Sequence, residues 1–208
     1  MTRARVLMGD DHTLVLAGFR KLLEPEFDLV GVVEDGRKLV EMAQSLRPDV
    51  ILTDISMPLL NGFDAARQIR KLAPESKIVF VTMHADPDYI AEALRLGALG
   101  YLLKRSAASE LAFAIHEVLA GRTYVTPLVP KQVGAEGEET RSPVELSPRQ
   151  REVLQLVAEG HANKEIARIL KLSMKTVEFH KSNLSRKLNL HSTADLTKYA
   201  IQHRIVSI

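Results

Sequence analysis

Asp10-Asp11, Asp54, Thr82 and Lys104 each close or directly follow a short run rich in Val, Ile and Leu. Such runs read as buried strands, so the spacing gathers all five side chains at one edge of a single sheet. Three carboxylates at one point repel one another unless a cation lies between them, and an all-oxygen cluster is the ligand set of a hard ion such as Mg2+. A carboxylate held beside such an ion can act as a nucleophile toward phosphorus and form an acyl phosphate. Asp54, at the end of Val50-Ile51-Leu52-Thr53, is the candidate nucleophile, with Asp10 and Asp11 holding the metal. The Lys104 ammonium would neutralise the incoming phosphoryl oxygens, and the Thr82 hydroxyl would hydrogen-bond one of them. Taken singly, each residue reads better as a polar strand end that caps a helix or solvates a loop. Five chemically matched residues at successive strand ends favour the joint reading.

The elements that must position them are legible as an alternation. Apolar runs at Arg5–Met8, Leu29–Val33, Val50–Leu52, Ile78–Val81 and Gly100–Leu103 are separated by segments with helical spacing, such as Leu14, Phe19, Leu22 and Leu23. Five strands interleaved with five helices predict a doubly wound, five-stranded parallel α/β sheet of flavodoxin-like type, with right-handed crossovers. From Thr123 to Glu145 the pattern dissolves into prolines, glycines and four glutamates, a linker composition. Four short helical patterns come after it. Ser147-Pro148-Arg149-Gln150 reads as a capping box with proline at the first helical position, Ser192-Thr193-Ala194-Asp195 as a looser acidic version, Asn163 and Ser173 as caps of the two middle helices, and Gly160 as the end of the first. Their core would use Leu154, Val157, Ile166, Ala167, Leu170, Val177, Leu184 and Leu188. The expected organisation is an α/β domain at 1–121, a linker at 122–145 and a smaller all-α four-helix domain at 146–208.

Charge separates the two parts. Residues 1–121 carry 14 basic and 17 acidic side chains, whereas residues 141–208 carry 12 and 6. A compact basic module beside an acidic one points to a polyanion partner. No apolar run approaches the ~18 residues of a membrane span, and the first residues lead into a strand rather than a signal-peptide core. The chain has no cysteine, which excludes disulfides and thiolate metal sites and fits a cytoplasmic setting. It also has no tryptophan and few aromatics, which argues against a surface that stacks on sugars or single strands.

The segment Ser173 to Asn189 is read as the second helix of a helix-turn-helix. With Val177, Leu184 and Leu188 on one face, Lys175, Glu178, Phe179 and Ser182 fall on another at i, i+3, i+4 and i+7. In a major groove, Lys can pair with guanine, Glu can accept from the cytosine amino group and Phe can touch a thymine methyl. Lys164, Thr176, His180, Lys181 and Lys187 are assigned to phosphates and positioning. The final helix, Thr193 to Arg204, carries Leu196, Tyr199, Ala200 and His203 at helical spacing, for its own core or for a two-fold contact.

Asp10-Asp11-His12, Asp54-Ile55-Ser56-Met57-Pro58 with Gly62, Thr82, Gly97-Ala98, Gly100-Tyr101 and Lys104 resemble the receiver domain of bacterial two-component response regulators. Residues 146–190, including Asn163-Lys164-Glu165-Ile166-Ala167 and Thr176-Val177-Glu178-Phe179-His180, resemble the LuxR-type helix-turn-helix. Together they are similar to the NarL/FixJ subfamily over nearly all of the chain except the linker. The resemblance implies Asp54 as phosphoacceptor, Asp10, Asp11 and the Ser56 backbone carbonyl as Mg2+ contacts, and Thr82 with Tyr101 as a coupled switch pair. Tyr101 also reads as a half-buried strand-end aromatic. The resemblance further implies a cognate sensor histidine kinase, a homodimer on phosphorylation, double-stranded DNA and RNA polymerase as partners, and no enzymatic activity beyond the receiver's own aspartyl phosphorylation and dephosphorylation. Many receivers have proline after the lysine, and a cis bond. Here Arg105 takes that place, and a non-proline cis bond costs ~3 kcal/mol, which counts against one. His84 is read as a loop residue, and His12 as a residue that packs or hydrogen-bonds at the start of the first helix rather than a metal ligand.

Two rivals are set aside on sequence. A haloacid-dehalogenase-like phosphatase needs a second acid two residues after its nucleophile, where this chain has Ser56. A LuxR-type sensor of acyl-lactones predicts an aromatic-rich pocket in the first domain, not a carboxylate set.

Overall fold

The structure is a computed structural model that describes residues 2–128 and 145–206. It divides into two compact units, Met1–Glu138 and Glu139–Ile208. Most of the expected linker, residues 129–144, lies outside the described residues.

In the first unit, strands and helices alternate as β1 (Arg5–Gly9), α1 (Thr13–Leu23), β2 (Asp28–Val33), α2 (Gly36–Leu46), β3 (Val50–Thr53), α3 (Gly62–Leu72), β4 (Lys77–Thr82), α4 (Pro87–Arg95), β5 (Gly100–Leu103), α5 (Lys104–Leu119) and β6 (Tyr124–Val125). The strand order is β2-β1-β3-β4-β5-β6, and every pairing is parallel. Parallel strands buried on both faces need continuous apolar runs, and alternate residues feed opposite layers. Leu7, Ile51, Ile78, Phe80 and Tyr101 pack with Leu39, Ala43, Ala66, Ile69 and Ile90 of α2, α3 and α4. Val6, Met8, Val50, Leu52, Val79 and Leu102 pack with Leu16, Phe19, Leu23, Leu111, Ile115 and Val118 of α1 and α5. Each Val, Leu, Ile, Phe or Met among them contributes about 1.5–3 kcal/mol on burial, and the two layers fix the sheet whose carboxyl edge carries the site.

The sheet has six strands, not the expected five. Tyr124 and Val125 sit beside Gly100 and Tyr101, and the Thr126 N–H donates to the Tyr101 carbonyl at 2.9 Å. Two residues are too short to show a period of two, so a strand at 124–125 is hidden within a segment whose prolines and glycines read as linker. The Tyr124 hydroxyl, pushed up to about 12 by burial and by the Glu110 carboxylate, donates to Glu110 Oε2 at 3.0 Å.

Among the described residues the second unit holds four helices: α6 (Pro148–Ala158), α7 (Asn163–Leu170), α8 (Met174–Leu188) and α9 (Thr193–Gln202). The capping box at α6 is complete, with Gln150 N–H to Ser147 Oγ at 3.3 Å and Ser147 N–H to Gln150 Oε1 at 2.9 Å. Ser173 caps α8 through the Thr176 N–H (3.1 Å), and Ser192 caps α9 through the Asp195 N–H (3.1 Å). Gly160, at φ +87°, terminates α6 as expected of a residue in the left-handed region. The start of α7 differs from expectation. Ala162, not Asn163, is the N-cap, and its N–H is satisfied by the Glu165 carboxylate at 2.8 Å. Asn163, one position inside the helix, instead accepts from Lys181 Nζ at 3.0 Å. The predicted core residues are buried except Leu188, which is half-buried near the end of α8. From α9, Leu196 and Ala200 are buried, while Tyr199 and His203 stay half-buried with their rings 4.0 Å apart. Among the described residues, no helix is long and apolar enough to cross a membrane.

Candidate functional site

The strand order reverses between β1 and β3, and in open parallel sheets the crevice beyond the strand ends at such a point is the usual ligand site. β1 delivers Asp10 there and β3 delivers Asp54, in neighbouring strands tied by the Asp54 N–H to the Gly9 carbonyl (2.9 Å). Both are buried. α5 begins at Lys104, immediately after β5. Its side chain, only 6% exposed, reaches across so that Nζ lies 2.7 Å from Asp10 Oδ2 and 2.7 Å from Asp54 Oδ2. The Asp54 Oδ1 accepts the Ile55 N–H at 2.6 Å.

These contacts divide the electrostatics unevenly. Burial pushes the Asp10 carboxyl above its ordinary value, reinforced by the Asp54 charge and opposed by hydrogen bonds from Lys104 and the His12 N–H. Burial would lower the Lys104 ammonium, yet hydrogen bonds to Asp10 and Asp54 and their charges raise it overall. Lys104 is therefore a firmly charged cation between two buried carboxylates. That arrangement suits an entering oxyanion.

Asp11 and His12 complete the acidic edge. Oxygen or nitrogen donors of Asp10, Asp11, His12 and Asp54 all lie within 4.8 Å of one another. Three carboxylates this close have the oxygen chemistry that a hard divalent ion requires. The loop from β3 to α3 closes the site from below. The Gly62 N–H donates to the Ile55 carbonyl at 2.8 Å, and a Cβ on Gly62 would stand 2.0 Å from the Asp54 carbonyl oxygen, so only glycine permits this approach. All peptide bonds among the described residues are trans, Lys104–Arg105 included.

Thr82 ends β4 at the same edge and is fully buried. Its Oγ1 accepts the His84 N–H at 3.4 Å. Tyr101 is fully buried rather than half-buried, and its hydroxyl donates to the His84 carbonyl at 2.7 Å. His84 is the residue whose part sequence reasoning missed. Its Nε2 lies 2.9 Å from Ser56 Oγ, and its ring stacks on Tyr89 at 4.2 Å and 7°. It thus ties the loop after Asp54, the end of β4, α4 and Tyr101 together. An aromatic at Tyr89, five residues along, was the one local signal for the stack.

In the second unit the expected stripe is present. Lys175, Glu178, Phe179 and Ser182 are exposed along α8, and Phe179 is 61% exposed despite its size. The ring shares the helix with Lys175, Lys181, Arg186 and Lys187. Lys164 and Lys187 are exposed, while Thr176, His180 and Lys181 are half-buried. Lys187 Nζ donates to the Glu145 carbonyl. Met174, the first residue of α8 and half exposed, belongs to the same end of the helix and escaped the periodicity argument.

Comparison with known proteins agrees with both units. Residues 6–116 match the response regulator receiver domain family, and residues 144–200 match the LuxR family of bacterial regulatory proteins. The transcriptional regulatory protein MctR of Rhizobium johnstonii is 38% identical over 99% of this chain and 96% of its own. The oxygen regulatory protein NreC of Staphylococcus aureus is 36% identical over 97% of this chain and 99% of its own. Among solved structures, the complex of the response regulator RcsB with DNA superposes with a TM-score of 0.61 at 30% identity, covering 95% of this chain and 98% of that one. The chain belongs to the NarL/FixJ-type two-component response regulators, transcriptional regulators that join a receiver domain to a LuxR-type DNA-binding domain.

Proposed function

We propose that Asp54 is the phosphoacceptor and that its phosphorylation drives dimerisation and sequence-specific DNA binding. The observation that carries this reading is the placement of Lys104 Nζ 2.7 Å from both Asp10 and Asp54, which marks where phosphoryl oxygens would be received. Asp10, Asp11, Asp54 and the Ser56 backbone carbonyl would hold Mg2+, which when bound neutralises charge on the transferring group. An Asp54 carboxylate oxygen attacks phosphorus of a phosphohistidine on a sensor kinase, or of an acyl phosphate. The new O–P bond forms as the donor's P–N or P–O bond breaks, and the donor leaves with the electron pair. Lys104 then exchanges a carboxylate partner for a phosphoryl oxygen, and Thr82 hydrogen-bonds another.

Transmission runs through the groups these residues already touch. A Thr82 hydroxyl drawn to the phosphoryl group moves the His84 backbone with it, and His84 holds the Tyr101 hydroxyl and the Tyr89 ring. Phosphorylation thus favours one arrangement of the β4–α4 loop by differential stabilisation. In the second unit, α8 would enter the major groove with Lys175, Glu178, Phe179 and Ser182 toward the bases. Lys164, Thr176, His180, Lys181 and Lys187 would position the helix on phosphates. That RcsB, similar over both units, has been solved in complex with DNA supports DNA as the partner. Bound at a promoter, the dimer would act through RNA polymerase, in a cytoplasmic setting that the absence of cysteine accords with.

Sedimentation velocity with beryllofluoride and Mg2+ tests the coupling. The native chain should shift from monomer to dimer. Thr82→Ala should still accept a phosphoryl group, more slowly, yet dimerise poorly because the hydroxyl that detects the phosphoryl oxygen is gone. A wild-type shift in Thr82→Ala would remove Thr82 from the switch, and no shift in the native chain would contradict phosphorylation-driven dimerisation.

A further inference from the structure

We propose that His12 is a nitrogen ligand of the divalent-ion site, so that this site favours first-row transition ions, Ni2+ more than Mn2+, beyond what its carboxylates alone would. The inference rests on the metal site proposed above and concerns which ions it selects.

His12 does more than start α1. At the N-cap position its side chain accepts no capping hydrogen bond from the helix. Its ring instead turns toward the acidic edge, with Nδ1 2.8 Å from Asp11 Oδ1, 3.1 Å from Asp10 Oδ1 and 3.4 Å from Lys104 Nζ. Its backbone is anchored in the same place, the His12 N–H donating to Asp10 Oδ1 at 2.9 Å. The donors of Asp10, Asp11, His12 and Asp54 lie within 4.8 Å of one another, close enough that shifts of a few tenths of an ångström bring them onto one ion with bonds of about 2.1 Å. With the side chain 61% exposed, the ring has room to turn a nitrogen toward an ion held by the neighbouring carboxylates.

The chemical consequence is graded by the metal. Mg2+ gains little from exchanging a water for an imidazole, because it prefers oxygen and holds its waters. Affinity of a mixed nitrogen and oxygen site rises from Mn2+ toward Ni2+, and imidazole suits nickel and zinc.

Loss of the free Mn2+ signal in electron paramagnetic resonance measures binding to the full chain, and competition by Mg2+ and Ni2+ gives their relative affinities. His12→Ala should weaken Mn2+ on the order of tenfold, Ni2+ by more and Mg2+ least, while an unchanged circular dichroism spectrum and melting temperature show that the variant is folded. Electron spin echo modulation from a bound imidazole nitrogen should be present in the native chain with Mn2+ and absent in His12→Ala. Asp11→Asn should weaken all three ions, which places them at this site. Equal loss of Mg2+ and Mn2+ affinity in His12→Ala, or an absence of nitrogen modulation in the native chain, would overturn the role of His12 while leaving the carboxylate site intact. Failure of any divalent ion to bind, or indifference to Asp11→Asn, would overturn the metal site itself and His12 with it.

Discussion

Incubated with Mg2+ and acetyl phosphate, the chain should gain one phosphoryl group by intact mass, labile to hydroxylamine as acyl phosphates are, and Asp54→Asn should gain none. The expected effect is complete because the three carboxylates are not equivalent. Asp10 has both oxygens engaged by Lys104 and one also by the His12 N–H, and its burial disfavours the anion. Asp11 is solvent-exposed and lies against His12, which suits an ion contact more than a nucleophile. Asp54 keeps Oδ1 fixed by the Ile55 N–H and offers Oδ2 only to Lys104, the cation that must also receive the phosphoryl group. An amide at position 54 keeps the shape and loses the nucleophile. Normal uptake by Asp54→Asn would move the chemistry to another carboxylate.

The second large effect is geometric and belongs to DNA. Two recognition helices related by a two-fold axis meet half-sites about one helical turn apart, so inserting ~5 bp between the half-sites of a selected operator should abolish tight binding. Single substitutions should then sort by role. Lys187→Ala should weaken all sequences alike and reduce the salt slope by about one unit per lost phosphate contact. Substituting Glu178 or Phe179 should change which base pair is preferred, by ~1–3 kcal/mol at one position. Affinities for the operator, its spacer variant and random duplex at two salt concentrations check both points. Indifference to spacing and to Glu178 or Phe179 would leave a non-specific polyanion binder.

Much of this architecture was legible because burial on both faces of a parallel strand leaves an unbroken apolar run, and the residue next after such a run lies at the sheet's carboxyl edge. Asp10, Asp54, Thr82 and Lys104 could be placed together for that reason alone. Three features resisted. β6 pairs through two residues, too few for a period, and its hydrogen bonds lie within a segment whose composition is that of a linker. The cap of α7 fell one residue early because Glu165 can serve the Ala162 N–H without any capping side chain at position 162. His84 meets Ser56 across 28 positions and Tyr101 across 17, and contacts between different strand ends leave no local pattern. Phe179 was easier, since an apolar ring off the buried stripe of α8 is visible on the helical repeat.

The claim that phosphorylation at Asp54 controls DNA binding is tested most directly by operator affinity of the full chain with and without beryllofluoride and Mg2+, for the native chain and for Asp54→Asn. Tightening is expected in the native chain only, lost when the half-sites are moved apart by ~5 bp. Equal affinity in the presence and absence of beryllofluoride, or the same tightening in Asp54→Asn, would contradict it.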